Sequence, residues 1–241
     1  MVVKSLKYNN ITVIGKGIYT IPEAARLAQV RSARITRWLS GYERSGISYP
    51  PLWESELHIP DNELPSSVSF ADLMEAKVIA AFYRHGVQIQ TVRKAIEIAR
   101  ELFKLERPFS SEKFQTDGKR IFIDLQNTIS DDKGLMDVVS NQRAFREIIQ
   151  PTFKNIDFEQ SAAVRWWPLG KKKHIVVDPT RSLGRPIESS TGVPIDSLID
   201  ALGIKDNSEP TKQEIKYVSR LFEVEESHVI AAAEFSKQFV V

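Results

Sequence analysis

Cysteine is absent from the 241 residues, which removes disulfides, thiolate metal sites, cysteine nucleophiles and thiol redox switching together. Long apolar runs are absent too. Val78 to Tyr83 is about the longest, far short of the roughly 18 residues a membrane helix needs. The opening stretch MVVKSLKYNNITVIG has no secretory apolar core. Cytoplasmic residence without membrane contact is the expectation, and Asn10-Ile11-Thr12 then carries no weight as a glycosylation sequon. Fixed-period repeats and low-complexity tracts are missing.

Signs of catalysis are equally scarce. Gly15-Lys16-Gly17 lacks the third glycine of a dinucleotide fingerprint, and no Gly-x4-Gly-Lys-Ser/Thr occurs; the pair reads as a turn or strand end. His58, His85, His174 and His228 show no His-x-x-His or His-Glu-x-x-His spacing, so each is expected at the surface or a helix end, with no metal. Asp131-Asp132 reads as a loop, and Glu225-Glu226 as the first turn of a helix, where carboxylates favour the macrodipole. The chain is read as a non-enzyme without a cofactor.

What is present is an ordinary globular composition, 42% hydrophobic and 27% charged, large enough for a sizeable core in one or two domains. The net charge of +2 conceals an asymmetry. Residues 1–48 carry eight bases (Lys4, Lys7, Lys16, Arg26, Arg31, Arg34, Arg37, Arg44) against two acids (Glu23, Glu43). Residues 196–241 carry nine acids against five bases. One end suits a polyanion and the other does not.

The basic end contains a helix-turn-helix pattern. Thr20-Ile21-Pro22-Glu23 has a capping threonine, an early proline and a glutamate at the capping-box position. Ile21, Ala24, Leu27 and Ala28 then share one helical face. After Gln29-Val30-Arg31, Ser32 is expected to cap a second helix with Ile35, Trp38 and Leu39 inward. Arg34 and Arg37 lie about 100° and 160° from Ile35 and point outward. Ser32, Arg34, Thr36, Arg37 and Ser40 supply the small, polar and cationic outer face that a recognition helix needs. The stretch after Gly41, with Pro50-Pro51 and with Trp53 and Leu57 alternating about Ser55, reads as a short hairpin or wing.

Further along, Ser69 caps a strong helix from Phe70 to Phe82 that ends at His85-Gly86, and Thr91 to Phe103 forms another before Pro108. Asp117-Gly118 between Phe114-Gln115-Thr116 and Lys119 to Ile123 reads as a hairpin turn. Asn141 to Ile149 reads as a helix stopped by Pro151. Ile156 to Trp167 and His174 to Val177 read as strands, the tryptophans of Arg165-Trp166-Trp167 buried and Lys171-Lys172-Lys173 in a charged turn. The acidic end reads as three helices, Ile195–Leu202, Thr211–Phe222 and Glu225–Phe239, the last two forming a second helix-turn-helix-like pair. Their Leu198, Leu202, Val218, Leu221, Val229, Ala232 and Phe235 offer more apolar surface than so small a unit can bury alone. They are therefore expected at a homodimer or partner interface, with packing onto strands 156–178 as the alternative.

Tyr19 to Leu27 together with Arg34-Ile35-Thr36-Arg37-Trp38-Leu39-Ser40-Gly41-Tyr42 resembles the MerR-like helix-turn-helix of excisionases and certain antitoxins, and Phe70 to Phe103 is similar to that domain's helical continuation. Val177-Asp178-Pro179, Gly184-Arg185-Pro186-Ile187, Gly192 to Leu198 and Ala231 to Phe235 are similar to a small domain family of unknown function found beside PIN-like toxins. In this order, with Arg165 to Gly170 between, the motifs resemble the large two-domain VapB-type antitoxins. The resemblance implies a DNA-binding antitoxin that represses its own toxin–antitoxin operon and neutralises a PIN-like ribonuclease. Its partners would be double-stranded operator DNA, the toxin and a second copy.

The expected architecture is α+β, mainly α. A winged, MerR-like DNA-binding domain occupies residues 1–107, a β-rich connection 108–178, and a helical dimerisation or partner module 179–241. Thr20, Arg31, Ser32, Arg34, Thr36, Arg37 and Arg44 are the expected DNA contacts. Two other classes stay open: a ligand-responsive MerR-like regulator with an effector pocket in residues 105–180, and a structural adaptor that binds no DNA.

Overall fold

Thr20 sets the start of the first helix. Its hydroxyl accepts from the Glu23 amide while the Glu23 carboxylate accepts from the Thr20 amide, a complete capping box. That helix, α1 (Ile21–Ala28), follows the two-residue strand β1 (Tyr19–Thr20) and precedes α2 (Ser32–Ser40). The computed structural model describes residues 14–57, 67–126, 142–204 and 209–239. His58 and Asp131-Asp132 lie outside the described residues.

The chain continues through β2 (Tyr42–Arg44), β3 (Ile47–Tyr49) and β4 (Ser67–Val68) to α3 (Phe70–Arg84) and α4 (Ile89–Phe103). Then come α5 (Glu112–Gln126), α6 (Gln142–Phe153) and the strands β5 (Ile156–Glu159), β6 (Ala162–Trp166), β7 (Ile175–Val177) and β8 (Pro186–Glu188). The acidic end supplies α7 (Ile195–Leu202), α8 (Lys212–Phe222) and α9 (Glu226–Gln238). The strands make three antiparallel sheets: β1 with β4, β2 with β3, and β5-β6-β7-β8 in sequence order. The mixed, mainly helical class agrees with the sequence reading. No described helix is long and apolar enough to cross a membrane.

The expected hairpin at Asp117-Gly118 is instead the middle of α5. Phe114, Gly118, Ile121, Phe122 and Leu125 recur at helical spacing and are buried. A Cβ on Gly118 would meet the Phe114 ring at 2.7 Å, so the glycine is a notch under an aromatic ring and not a turn residue. That ring belongs to a cluster in which Phe82 stacks on Phe122 at 4.5 Å and Phe109 lies 4.2 Å from Phe114. Burial of such rings, at roughly 1.5–3 kcal/mol each, outweighs the local turn preference. Pro151 likewise does not stop α6. It sits inside the last turn, where its missing amide gives up one i→i−4 bond, and burial of Ile148, Ile149 and Phe153 on the continuing face offsets that loss.

Two further expectations shift by a few residues. Arg31, not Ser32, is the N-cap of α2, and no side chain caps it. The hairpin after Gly41 spans residues 42–49, and Trp53 and Leu57 are core residues, not wing residues. Trp53 Nε1 donates to Asp72, which also accepts from Ser55 Oγ, the Glu56 and Ser69 amides and Arg107 Nε. One buried carboxylate thus ties the segment behind the hairpin to α3 and to the α4–α5 link, its charge matched by Arg107 and by hydrogen bonds.

A single apolar core runs from Tyr19 to Phe239 across the expected domain limits. Tyr19 Oη donates to the Gly184 carbonyl at 2.8 Å, the Ile18 amide to the Leu183 carbonyl at 2.8 Å, and Gln29 Nε2 to the Gln238 carbonyl at 3.0 Å. The segment before β8 and the end of α9 therefore brace the α1–α2 unit. This packing covers the apolar excess of the last three helices. Leu198, Leu202, Val218, Val229, Ala232 and Phe235 are buried within the chain, so the idea that they present a free surface is corrected. Leu221, 55% exposed, is the member of that set left outside.

Candidate nucleic-acid interface

The helix pair is held from three sides before any ligand arrives. Ile35, Trp38 and Leu39 anchor α2 in the core, as the sequence spacing implied. Arg84 Nη1 donates to the Ala28 carbonyl at 3.1 Å, closing the end of α1. The turn uses Gln29 in the left-handed region (φ 56) and buries Val30.

On the outer side of α2, Arg31, Ala33 and Arg37 are exposed and Ser32, Arg34 and Thr36 half-buried. The Arg34 guanidinium lies 3.7 Å from the centroid of the Tyr83 ring. This cation–π contact orients the planar group, contributes about 0.5–1 kcal/mol, and leaves its in-plane N–H donors available for a base edge or phosphate. Thr36 Oγ1 donates back to the Ser32 carbonyl. Among the described residues Arg31, Arg37 and Arg44 make no ion pair with an acid.

The β2–β3 hairpin stands beside this face. Ser45 (φ 53) and Gly46 (φ 74) form its two-residue tip, a backbone suited to the twist of a hairpin. Tyr42 and Tyr49 stack across it at 4.8 Å. Gly41 (φ 73) starts it, and a Cβ there would run into the Tyr49 carbonyl. The hairpin is rooted on α4: Gln90 Nε2 donates to Tyr42 Oη, Arg93 to the Pro51 carbonyl, and Arg100 to the Leu52 carbonyl. Between hairpin and α2 lies a groove of about 650 Å³ lined by Arg34, Arg37, Arg44, Tyr42, Tyr83 and Glu43 among others. Three cations face one acid there.

Arg34, Arg37 and Arg44 are thus brought together, and Arg31 and Ser32 sit at the start of the same helix. Thr20 is elsewhere, its hydroxyl engaged in the cap of α1. Tyr83 and Arg84 were not anticipated as supports of this unit. The exposure of Tyr83 and Arg84 in the last turn of an otherwise buried α3 emerges only in the fold.

The rival features are structural. Lys16, in the Gly-Lys-Gly turn, accepts from the Phe70 amide through its carbonyl. Trp166 is buried against Phe239 at 5.7 Å, and Trp167 Nε1 donates to Asp157, which also pairs with Lys171 at 2.6 Å. Neither tryptophan is a free stacking platform.

Residues 17–96 match the family model described as "Putative DNA-binding HTH domain". The chain is 28% identical over 201 residues to a protein of Mycobacterium tuberculosis named "Putative antitoxin VapB45", covering 77% of this chain and 82% of that one. It is also 28% identical over 100 residues to "Uncharacterized protein Rv2308" of the same organism, 41% of this chain and 40% of the relative. The crystal structure of Rv2018 from Mycobacterium tuberculosis shares the fold, with a TM-score of 0.63 at 20% identity over 89% of this chain and 96% of that one.

Proposed function

We propose that the chain is a DNA-binding antitoxin-type regulator that acts by binding and not by catalysis. Residues 1–107 dock on operator DNA, residues 108–178 connect, and residues 179–241 form the partner module. In this reading α2 enters the major groove with Ser32, Arg34, Thr36 and Arg37 toward base edges, Arg31 and the hairpin's Arg44 meet phosphates, and Thr20 lies beside the backbone at the start of α1. A two-fold pair of chains would read two half-sites.

The observation that carries this reading is the cationic outer face of α2, braced by the core and flanked by a rooted hairpin. The helix-turn-helix match and the antitoxin-named relative support it. The antitoxin-named relative also favours a toxin partner over a bare regulator; repression of the chain's own operon and a PIN-like ribonuclease as that toxin rest on the resemblance of the sequence motifs. A ligand-responsive regulator would need an effector cavity in residues 105–180. Among the described residues there, the phenylalanine cluster packs the interior, and the hollows beside Arg107, Ser110 and Lys113 (about 370 Å³) and beside Thr152, Asn155 and Trp166 (about 200 Å³) are open grooves, so that reading ranks second.

Titration of the full-length chain against a duplex taken from upstream of its own gene tests the first half. Binding at least tenfold tighter than to random duplex is expected, and equal affinity for both contradicts site-specific recognition. Assay of any ribonuclease encoded beside its gene tests the second half. Inhibition by one equivalent of chain is expected, and unchanged activity contradicts the antitoxin reading.

A further inference from the structure

Two histidines that the sequence separates by more than fifty positions meet in the fold. His174 (φ 57) immediately precedes β7, Glu188 ends β8, and His228 lies in the first turn of α9. The imidazole rings stack with centroids 4.3 Å apart and planes 26° apart. His228 is buried, 7% exposed, against the expectation of a surface residue. Its Nδ1 is 3.1 Å from Glu188 Oε1 but lacks hydrogen-bond geometry and has no hydrogen-bond partner, while Nε2 lies 3.8 Å from Glu225 Oε2.

The carboxylate is prepared as an anion. Although burial works in the other direction, the Ser190 and Thr191 hydroxyls and amides donate to Glu188 and hold its carboxyl at about 2. One donor atom from each of His174, Glu188 and His228 falls within 4.8 Å of the others. A tetrahedral ion with metal–donor distances near 2.1 Å spaces its donors about 3.4 Å apart, so small side-chain rotations close the set. Hydrophobic packing gives no reason to bury an imidazole with an unsatisfied nitrogen beside a locked carboxylate.

We propose that His174, Glu188 and His228 bind one divalent transition-metal ion of the zinc class, with Glu225 or water in the fourth position. Two imidazoles and one carboxylate disfavour calcium and magnesium, which take oxygen donors. The ion would join the β7–β8 hairpin to the start of α9. The other end of α9 receives the hydrogen bond from Gln29 in the α1–α2 turn, so the site lies within the brace behind the helix-turn-helix.

Titration of the chelator-stripped full-length chain with Co²⁺, followed by its visible absorption, tests this directly. Saturation at one equivalent, with displacement by Zn²⁺, is expected. His174→Ala removes an exposed side chain, should leave the circular dichroism spectrum unchanged and should abolish one-equivalent binding. His85→Ala, outside the cluster, should keep it. Failure of the wild-type chain to saturate at one equivalent, or one-equivalent binding retained by His174→Ala, would overturn the proposal.

Discussion

The α1–α2 pair and the α8–α9 pair begin alike. Thr20 and Glu23 form a capping box at the first, and Thr211 and Glu214 form another at the second. Each leading helix ends on a left-handed residue, Gln29 (φ 56) or Glu223 (φ 54). A buried valine follows, Val30 or Val224, and then an N-cap, Arg31 or Glu225. The backbone device is the same, but the second helices differ. Around its turn α2 carries Arg31, Arg34 and Arg37, whereas α9 carries Glu223, Glu225 and Glu226. The second helix of the basic pair buries one side only, while α9 buries His228, Val229, Ala231, Ala232, Ala233 and Phe235. A helix covered on most sides cannot lie in a groove. Local turn chemistry therefore makes a helix pair, and charge and residual exposure decide what it can touch.

The sharpest way to break that contrast is to neutralise each pair in turn. Replacing Arg31, Arg34 and Arg37 together by Ala in the full-length chain should lower duplex affinity at least a hundredfold. Replacing Lys212, Lys216 and Arg220 on α8 should change it less than twofold. Fluorescence anisotropy on one operator duplex checks both. Arg34→Ala alone should flatten preference at one base position, since a good guanine contact contributes about 1–3 kcal/mol of discrimination.

Two buried carboxylates outside these pairs, one on α3 and one on β8, are shifted in opposite senses. Burial pushes Glu75, on the inner face of α3, up to about 8 despite the Ser110 amide that donates to it. The folded chain therefore retains a proton there that the unfolded chain releases above about 4.5, and stability should fall as pH rises from about 4.5 to 8. The full shift corresponds to a few kcal/mol at most. Glu75→Gln should flatten that slope in urea melts taken at several pH values. Glu188, held at about 2, contributes in the other direction. Its stabilisation is complete above about 4.5 and is lost as pH falls toward 2, so Glu188→Gln should lose stability at neutral pH and little at pH 2.

A smaller effect belongs to the hairpin. Gly41→Ala combines a positive φ with a collision at the Tyr49 carbonyl and should cost about 1–3 kcal/mol. Denaturation midpoints measure this, and duplex affinity should fall with them. The smallest effect tests the shared turn itself. Glu223→Gly relieves a left-handed non-glycine residue and should be neutral to stabilising by under about 1 kcal/mol. Gln29→Gly should gain less, because it also loses the bond to Gln238.

Much of this was legible in the residues. The apolar spacing of Ile21, Ala24 and Leu27 and of Ile35, Trp38 and Leu39 marked both helices of the basic pair and the inward place of Trp38. Charge counting located the cationic face. The failures were tertiary. Asp117-Gly118 has the local preference of a turn, but Phe82 and Phe109 supply the partners that make it helical. The apolar set of the acidic helices was visible and packing onto strands 156–178 stood as the alternative to a second copy, but the choice between them was not legible, because Tyr19, Trp166 and β7 meet these helices only in the fold. The pairing of His174 with His228 has no sequence signal at all, since β7, β8 and α9 bring them together only in the fold.

The salt dependence of duplex binding tests the central claim most directly. The logarithm of the association constant should fall steeply with the logarithm of salt concentration for the full-length chain, by about 0.9 for each phosphate contacted. The slope should become shallower by one to three when Arg31, Arg37 and Arg44 are replaced by Ala, and remain unchanged when Lys212, Lys216 and Arg220 are replaced. A slope that survives loss of the first three arginines, or collapses with the second set, would contradict the assignment of DNA binding to α2 and its hairpin.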